Sequence, residues 1–375
     1  MLNLLLKAGN HPRVHCPVSF RIKRSSMEAL TSEPEKIRMK DSTGNPVPVQ
    51  CVNNGGDWEL HWMVAHLAAG ESQTYTVYTA DTADKAAPAN GAIRFIEKSN
   101  QLDVEIAGQY FTSFVHDPAL AKPYIGPVIG PYGDSYTRLD FDIKEHPHHR
   151  SVWLGIGDVN GIDTWNEPKD RHGKQLFGGI AEKIDGPVLA RFTSNHSWTS
   201  FEGKPQVEEQ RTVTFYNTPV EGRFVDMEIT FTATKGQVEF GATKEAGPLG
   251  IRVAESMKVA NGGTMINSYG SIGEKECWGQ RAQWCDYFGN VGGHTLGIAL
   301  FDHPDNVDHP SYWHIRDYGL LAANNFYFLG GKLFKKGQSM HFKYRMYFHD
   351  GDVTQAKVGD RYQDYIHPPK IELIS

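Results

Sequence analysis

No stretch of this chain keeps a helical period for long. Short runs in which apolar and polar residues alternate recur instead, each closed by Gly, Asn, Asp or Pro. They include Val14–Ile22, Trp58–His66, Gln73–Thr79, Ala92–Ile96, Leu102–Ile106, Thr137–Ile143, Ala190–Ser197, Gln206–Tyr216, Arg223–Thr234, Val238–Gly241, Thr295–Phe301 and Ser339–His349. Leu2–Leu6 reads as a further strand, and Asn53-Asn54-Gly55-Gly56, Asn290–Gly293 and Gly330-Gly331 as turns. A half-buried strand hides every second side chain, so many such runs predict an all-β antiparallel sandwich. Alternation fades at Asp163–Lys174 and Thr354–His367, where helices are expected.

The small, polar segment Ala80–Gly91 contains Pro and Gly and reads as a linker. It divides the chain into a small N-terminal β unit, residues 1–85, and a large β-sandwich domain, residues 91–375, that carries the site. With 375 residues, a net charge of -6 and both signs mixed, the chain lacks the basic field of a nucleic-acid binder. No stretch approaches the roughly 20 apolar residues that span a bilayer, so no membrane insertion is expected. The opening MLNLLLKAGN lacks the basic region and cleavage site of a secretory leader. Cys16, Cys51, Cys277 and Cys285 lack metal-type spacing and read as buried thiols of a reducing compartment. A cytoplasmic location is expected, or a periplasmic or secreted one if a leader has been removed. Seventeen His and eight Trp suit a concave site for a polar ligand with flat apolar faces, such as a sugar.

Four constellations could carry chemistry. In the first, Glu145-His146-Pro147-His148-His149-Arg150, an extended chain would put His146 and His148 on one face and His149 on the other. Two imidazoles on one face can bind a metal or divide acid and base roles, and Arg150 can grip hydroxyls or a carboxylate with its planar fork. The bland alternative is a solvated loop. The second sets Lys244, Glu245 and Arg252 among small residues, which allow close approach of a ligand or simply form a charged hairpin. The third joins the stacking faces of Trp278 and Trp284 to the polar edges of Arg281 and Asp286, the make-up of a sugar platform or of a core corner. The fourth brings His303, His314, Arg316 and Asn324 to strand ends, where β scaffolds place function, although either His alone reads equally well as structural. There is no GxGxxG with a following acid, P-loop, HExxH or GxSxG.

The phrases HPHHRSVWLGIGDVNGIDTW, TKEAGPLGIRVAE, WGQRAQWCDYFG and DHPDNVDHPSYWHIRDYGLLAANNF resemble a bacterial PmoA-like family, labelled as if related to a methane monooxygenase subunit. That label sits badly with a chain that has no spanning segment. The resemblance implies kinship with the galactose-mutarotase-like supersandwich and a setting beside sugar dehydrogenases. It transfers no residue roles.

These readings converge on a carbohydrate-active enzyme that works by acid/base chemistry on a sugar or keto-sugar, by hydrolysis, elimination or epimerisation. The candidate catalytic residues are His148, His149, Glu245, Asp286 and His303. The candidate binding residues are His146, Arg150, Lys244, Arg252, Trp278, Arg281, Trp284, His314, Arg316 and Asn324. His146, His148, His149, Glu245, Arg281, Asp286, His303 and His314 are expected to line one pocket. No cofactor is firmly implied, though a divalent metal is compatible. Two rivals stand beside this reading: a non-catalytic carbohydrate-binding sandwich, and a metal-dependent oxygenase with two His and a carboxylate.

Overall fold

The computed structural model describes residues 1–28, 31, 33–80, 91–138, 140–141, 145–245, 247–324 and 326–374, with the side chain of Asn324 excepted. Two eight-stranded antiparallel sheets dominate. The front sheet runs in the order Tyr312–Arg316, Leu320–Asn324, Leu249–Arg252, Val152–Leu154, Tyr124–Ile125, Gln109–Val115, Gln101–Ile106 and Ile93–Glu97. The back sheet runs Lys174–Ile184, Leu189–Thr199, Pro205–Tyr216, Gly222–Thr232, Ser339–Asp350, His294–Asp302, Trp284–Val291 and Thr264–Asn267. One continuous core lies between them. Val152, Leu154, Leu249, Ile251, Trp313, Ile315, Leu321 and Ala323 enter it from the front, and Val213, Phe215, Ile229, Leu300, Phe342 and Met346 from the back. This is the sandwich that period-two alternation predicts.

The N-terminal residues build a separate, smaller core around Leu4, Leu6, Trp62, Val64 and Val77. Its five-stranded sheet includes the last strand of the chain, Lys370–Ile374, with Leu4 opposite Leu373 and Leu6 opposite Ile371. A division of the chain at the linker therefore misplaces this strand, which pairs with the first one and not with the large domain. Residues 81–90 of the expected linker lie outside the described residues.

Two other expectations need correcting. Asp163–Lys174 is not helical, because Glu167 and Asp170 take left-handed backbone angles and the back sheet's first strand already begins at Lys174. Thr137–Ile143 is not a strand as far as it is described. Only Thr137 makes an isolated bridge, to Val253, while Leu139 and residues 142–144 lie outside the described residues. The expected C-terminal helix is present as Val358–Ile366, and it buries Val358 and Tyr362 against the outer surface of the back sheet. All four cysteines are free thiols. Among the described residues no helix is long and apolar enough to cross a membrane.

Candidate functional site

The outward face of the front sheet is built by the same alternation that fills the core. Between the core residues of its central strands stand Tyr124, Trp153, Arg252, Leu320 and Ala322, and His314 and Arg316 follow on the edge strand. Trp165, from the loop before the back sheet, packs on Trp153 at 5.3 Å between ring centroids. Gly250 faces outward beneath both rings. A Cβ there would come within 2.8 Å of Trp153 and 3.1 Å of Trp165, so only glycine leaves room for this floor.

The segment Glu145–Arg150 lies across that floor. Arg138 fastens it, donating to the carbonyls of Glu145, His146 and His149 at 2.6–3.0 Å. The clamp folds the segment into a turn, with His146 at a left-handed φ of 49°. Four rings then stack in parallel. Tyr318 lies 4.6 Å from His146, His146 4.9 Å from His149, and His149 4.8 Å from Trp153, all within 18° of coplanar. His148 meets His149 edge-on at 4.5 Å and 83°.

Charged groups frame the stack. Glu145 accepts from Arg252 and Lys258, both at 3.0 Å. Glu167 accepts from both terminal nitrogens of Arg150 and pairs with Lys122 at 3.0 Å. Lys122 is 1% exposed and also donates to the Trp165 carbonyl at 2.6 Å. Burial works against ionising either Glu, but these hydrogen bonds and positive charges outweigh it and hold both near pKa 2. The imidazoles move the other way. Burial, and then the Lys122 charge, lowers His148 to about 3. Burial, and then Arg316 and Lys244, lowers His314 to about 3. Burial, and then His148 and Arg252, places His149 well below its ordinary value. All three are neutral at pH 7. Burial also raises Tyr318 to about 12, with help from Glu245 and Glu274 against Arg316 and Arg252.

Several of these rings are unsatisfied. Nε2 of His148 and of His149 and both nitrogens of His314 are buried without a hydrogen bond of normal geometry among the described residues, although the Lys244 backbone lies beside the His314 ring. Buried polar atoms are normally paired, so an unpaired cluster on one face calls for an explanation.

Most of the residues nominated from sequence meet here: His146, His148, His149, Arg150, Arg252, His314 and Arg316, with Lys244 and Glu245 in the adjoining loop. Four nominated side chains lie elsewhere. Trp284 and Asp286 stand on the outer surface of the back sheet, where Trp284 packs into the cluster under the C-terminal helix. Asp286 is fully buried there, 3.1 Å from His349 Nε2. His303 follows a back-sheet strand and packs edge-on against Tyr365 of that helix. The sequence places these residues near Trp278 and His314, but alternation within a strand does not tell which sheet the strand joins. Arg281 is exposed and donates to the Asp308, His309 and Pro310 carbonyls, pinning a loop. The single pocket expected for all eight residues is thus corrected to one face without Arg281, Asp286 and His303. Trp278 sits at the front sheet's edge, 5.8 Å from Phe328, beside a segment that pairs with Trp313. Asn324 pairs with Tyr312 in the ladder, and its side chain lies outside the described residues.

Sequence reasoning missed Lys122, Arg138, Trp165 and Glu167 and assigned no role to Glu145, Trp153 or Tyr318. The last three adjoin nominated histidines or arginines in motifs already singled out. Lys122 and Glu167 carry no local signal, since only the fold brings them together. Among the described residues no three His, Cys, Asp or Glu side chains converge in an arrangement that could hold a metal.

The profile of DUF6807, described as a family of unknown function, matches residues 101–363. No curated protein matches the chain. Similar solved structures include a glycosyl hydrolase family 38 protein from Enterococcus faecalis, at TM-score 0.46 and 10% identity over 100% of this chain and 47% of that one. An α-mannosidase from E. faecalis V583 gives TM-score 0.44 and 9% identity over 100% and 46%. A GH36 α-galactosidase from Geobacillus stearothermophilus gives 0.35 and 9% over 70% and 41%. The chain spans less than half the length of each of these structures.

Proposed function

This chain belongs to the DUF6807 family, of unknown function, and we propose that the outward face of its front sheet is the active site of a carbohydrate-active enzyme. The observation that carries this reading is the cluster of neutral imidazoles with unpaired ring nitrogens on an indole floor. Indole faces take the C–H faces of a pyranose, and polar edges take its hydroxyls. The ligand would be a sugar, or the keto-sugar that a partner dehydrogenase makes from one, and the reaction hydrolysis, elimination or epimerisation.

Each of these reactions needs a proton donor and a proton acceptor across the ring. His148 is the half-buried imidazole with a free Nε2, and Glu245 is the carboxylate in the adjoining loop, only loosely paired with Lys244 at 3.5 Å. We assign the proton transfers to these two. His149, fixed by Arg252 and the ring stack, is assigned to binding and polarisation.

The low proton affinity of the imidazoles also fits a non-catalytic sugar-binding protein. A panel of glycosides and ring-keto glycosides, followed by NMR for new products, separates the two. Turnover that falls on the order of 10²–10⁴ in His148→Ala and in Glu245→Gln supports the enzyme. Saturable binding without turnover on any member supports the binding protein. Turnover at wild-type rate in both variants would remove the assignment.

A further inference from the structure

Arg252 is fully buried and reaches the front face between Glu145 and His149. Its Nη2 donates to Glu145 Oε1 at 3.0 Å, and its Nη1 lies 3.3 Å from His149 Nδ1. A guanidinium carries only donors and does not give up its proton. Nδ1 of His149 must then accept, which leaves the ring proton on Nε2. The ring has no freedom to turn. His146 and Trp153 stack on its two faces, and Trp165 and His148 stand edge-on to it.

The Nε2–H so defined is buried and has no acceptor among the described residues. The acceptors nearby are already used. Glu145 serves Arg252, Lys258 and His146, and Glu167 serves Arg150 and Lys122. The carbonyls of His146 and His149 serve Arg138. Trp153 Nε1 and Arg252 Nε are further buried N–H groups without a partner. The unpaired N–H groups of this floor are donors, and only the imidazoles of His148 and His314 and the Tyr318 hydroxyl can act either way among the groups named here. A hydroxyl seated on it would have to find one of these groups to take its own proton. A carbonyl or carboxylate oxygen would not.

We propose that Arg252 is a positioning residue that locks His149 as the neutral Nε2–H tautomer, and that the substrate group seated against His149 is an acceptor-only oxygen, a ketone or a carboxylate. The second half rests on the reading of this face as a sugar site; the first does not. The electrostatics agree with both. Burial, and then His148, Arg252, His146 and Lys122, all disfavour a second proton on His149, and an acceptor-bearing ligand at Nε2–H suits that neutral ring.

The test is 15N NMR of protein labelled at histidine, with His149 identified by its loss in His149→Gln. At neutral pH, His149 should show a protonated Nε2 and a bare Nδ1. In Arg252→Met the two tautomers should mix, and should that variant not fold, the wild-type spectrum alone decides. A protonated Nδ1 in the wild type overturns the lock. Methyl glucoside, methyl glucuronide and a ring-keto methyl glucoside are then titrated in. Movement of the His149 signals at least ten-fold sooner with the glucuronide or the keto sugar than with the glucoside is expected, and which of the two acts identifies the oxygen. Equal response to all three overturns the substrate class but leaves the sugar site standing. No response to any overturns the substrate class together with the sugar reading, while the tautomer result stands by itself.

Discussion

The outer surfaces of the two large sheets carry the same kinds of side chain and use them differently. On the back sheet, His349 reaches across Gly297 to Asp286, and Arg345 grips Asp226 with two hydrogen bonds while lying over the rings of Tyr216, Phe224 and Tyr365. The helix Val358–Ile366 packs over this surface, so Asp286 and His349 have no contact with solvent even though each keeps one unpaired atom. On the front sheet no helix covers the imidazoles among the described residues. His146 and His148 remain partly exposed, and although Glu145 and Arg252 each reach one ring nitrogen, Nε2 of His148 and of His149 is left without a partner among the described residues. A histidine beside a carboxylate is therefore not in itself a site. What separates a structural pair from a candidate site is whether the fold supplies a cover and a partner.

The largest expected contrast is between His148 and Asp286. His148→Ala should lower kcat on the order of 10²–10⁴ on a confirmed substrate with little change in Tm. Asp286→Ala should cost about 3 kcal/mol in urea unfolding, by stripping a buried partner, while the folded fraction keeps wild-type kcat. The reverse pattern would place the chemistry on the back sheet. The next contrast uses two glycines. In Gly297→Ala the new Cβ would meet His349 at 2.2 Å, and in Gly250→Ala it would meet Trp153 at 2.8 Å. Each overpacking should cost roughly 1–3 kcal/mol, but only Gly250→Ala should also weaken ligand binding. Equal loss of binding in both would blur the distinction.

A smaller, graded effect is expected with pH. His148 and His314 are lowered to about 3 in the folded state, so between pH 6.5 and about 3 the unfolded chain binds more protons than the native one. Stability from these groups is complete above pH 6.5 and declines as pH falls through that window. Chemical unfolding at a series of pH values should show this slope, flattened in His314→Gln. An unchanged slope in the variant would mean that His314 is not held neutral. The smallest effect belongs to Arg281. Since it pins the 308–310 carbonyls and lies over the Tyr312 ring at the exposed surface, Arg281→Ala should leave kcat/KM within about two-fold and cost about 1 kcal/mol in Tm-derived stability. A large rise in KM would return Arg281 to the site.

Much of the architecture was legible because alternation is a local property. Arg13–Ile22, Asp57–Leu67, Pro205–Tyr216 and Ser339–Asp350 differ from the runs read in the sequence by a residue or so at their ends. Strands too short to show alternation, such as Val152–Leu154 and Tyr124–Ile125, escaped notice, although they carry Trp153 and Tyr124 to the site. The Glu145–Arg150 motif was legible as chemistry because three imidazoles crowd into four positions. Its expected division of faces was not met, since the Arg138 clamp turns the segment and stacks His146 on His149.

By itself the sequence determined that the chain is an all-β sandwich, which side chains of each long strand share a face, and which segments hold groups able to move protons. Each of these follows from neighbours a few residues apart. Only the tertiary structure decided which sheet each strand joins, and so which of the nominated groups meet. Trp284 and Asp286 alternate as regularly as Gly250 and Arg252, yet the former lie under a helix on the back sheet and the latter on the open front face. It also decided the protonation of the histidines. Lys122 and Arg252 stand 26 and 103 residues from His148 and His149 respectively, and only folding brings their charges and the low-dielectric floor against those rings.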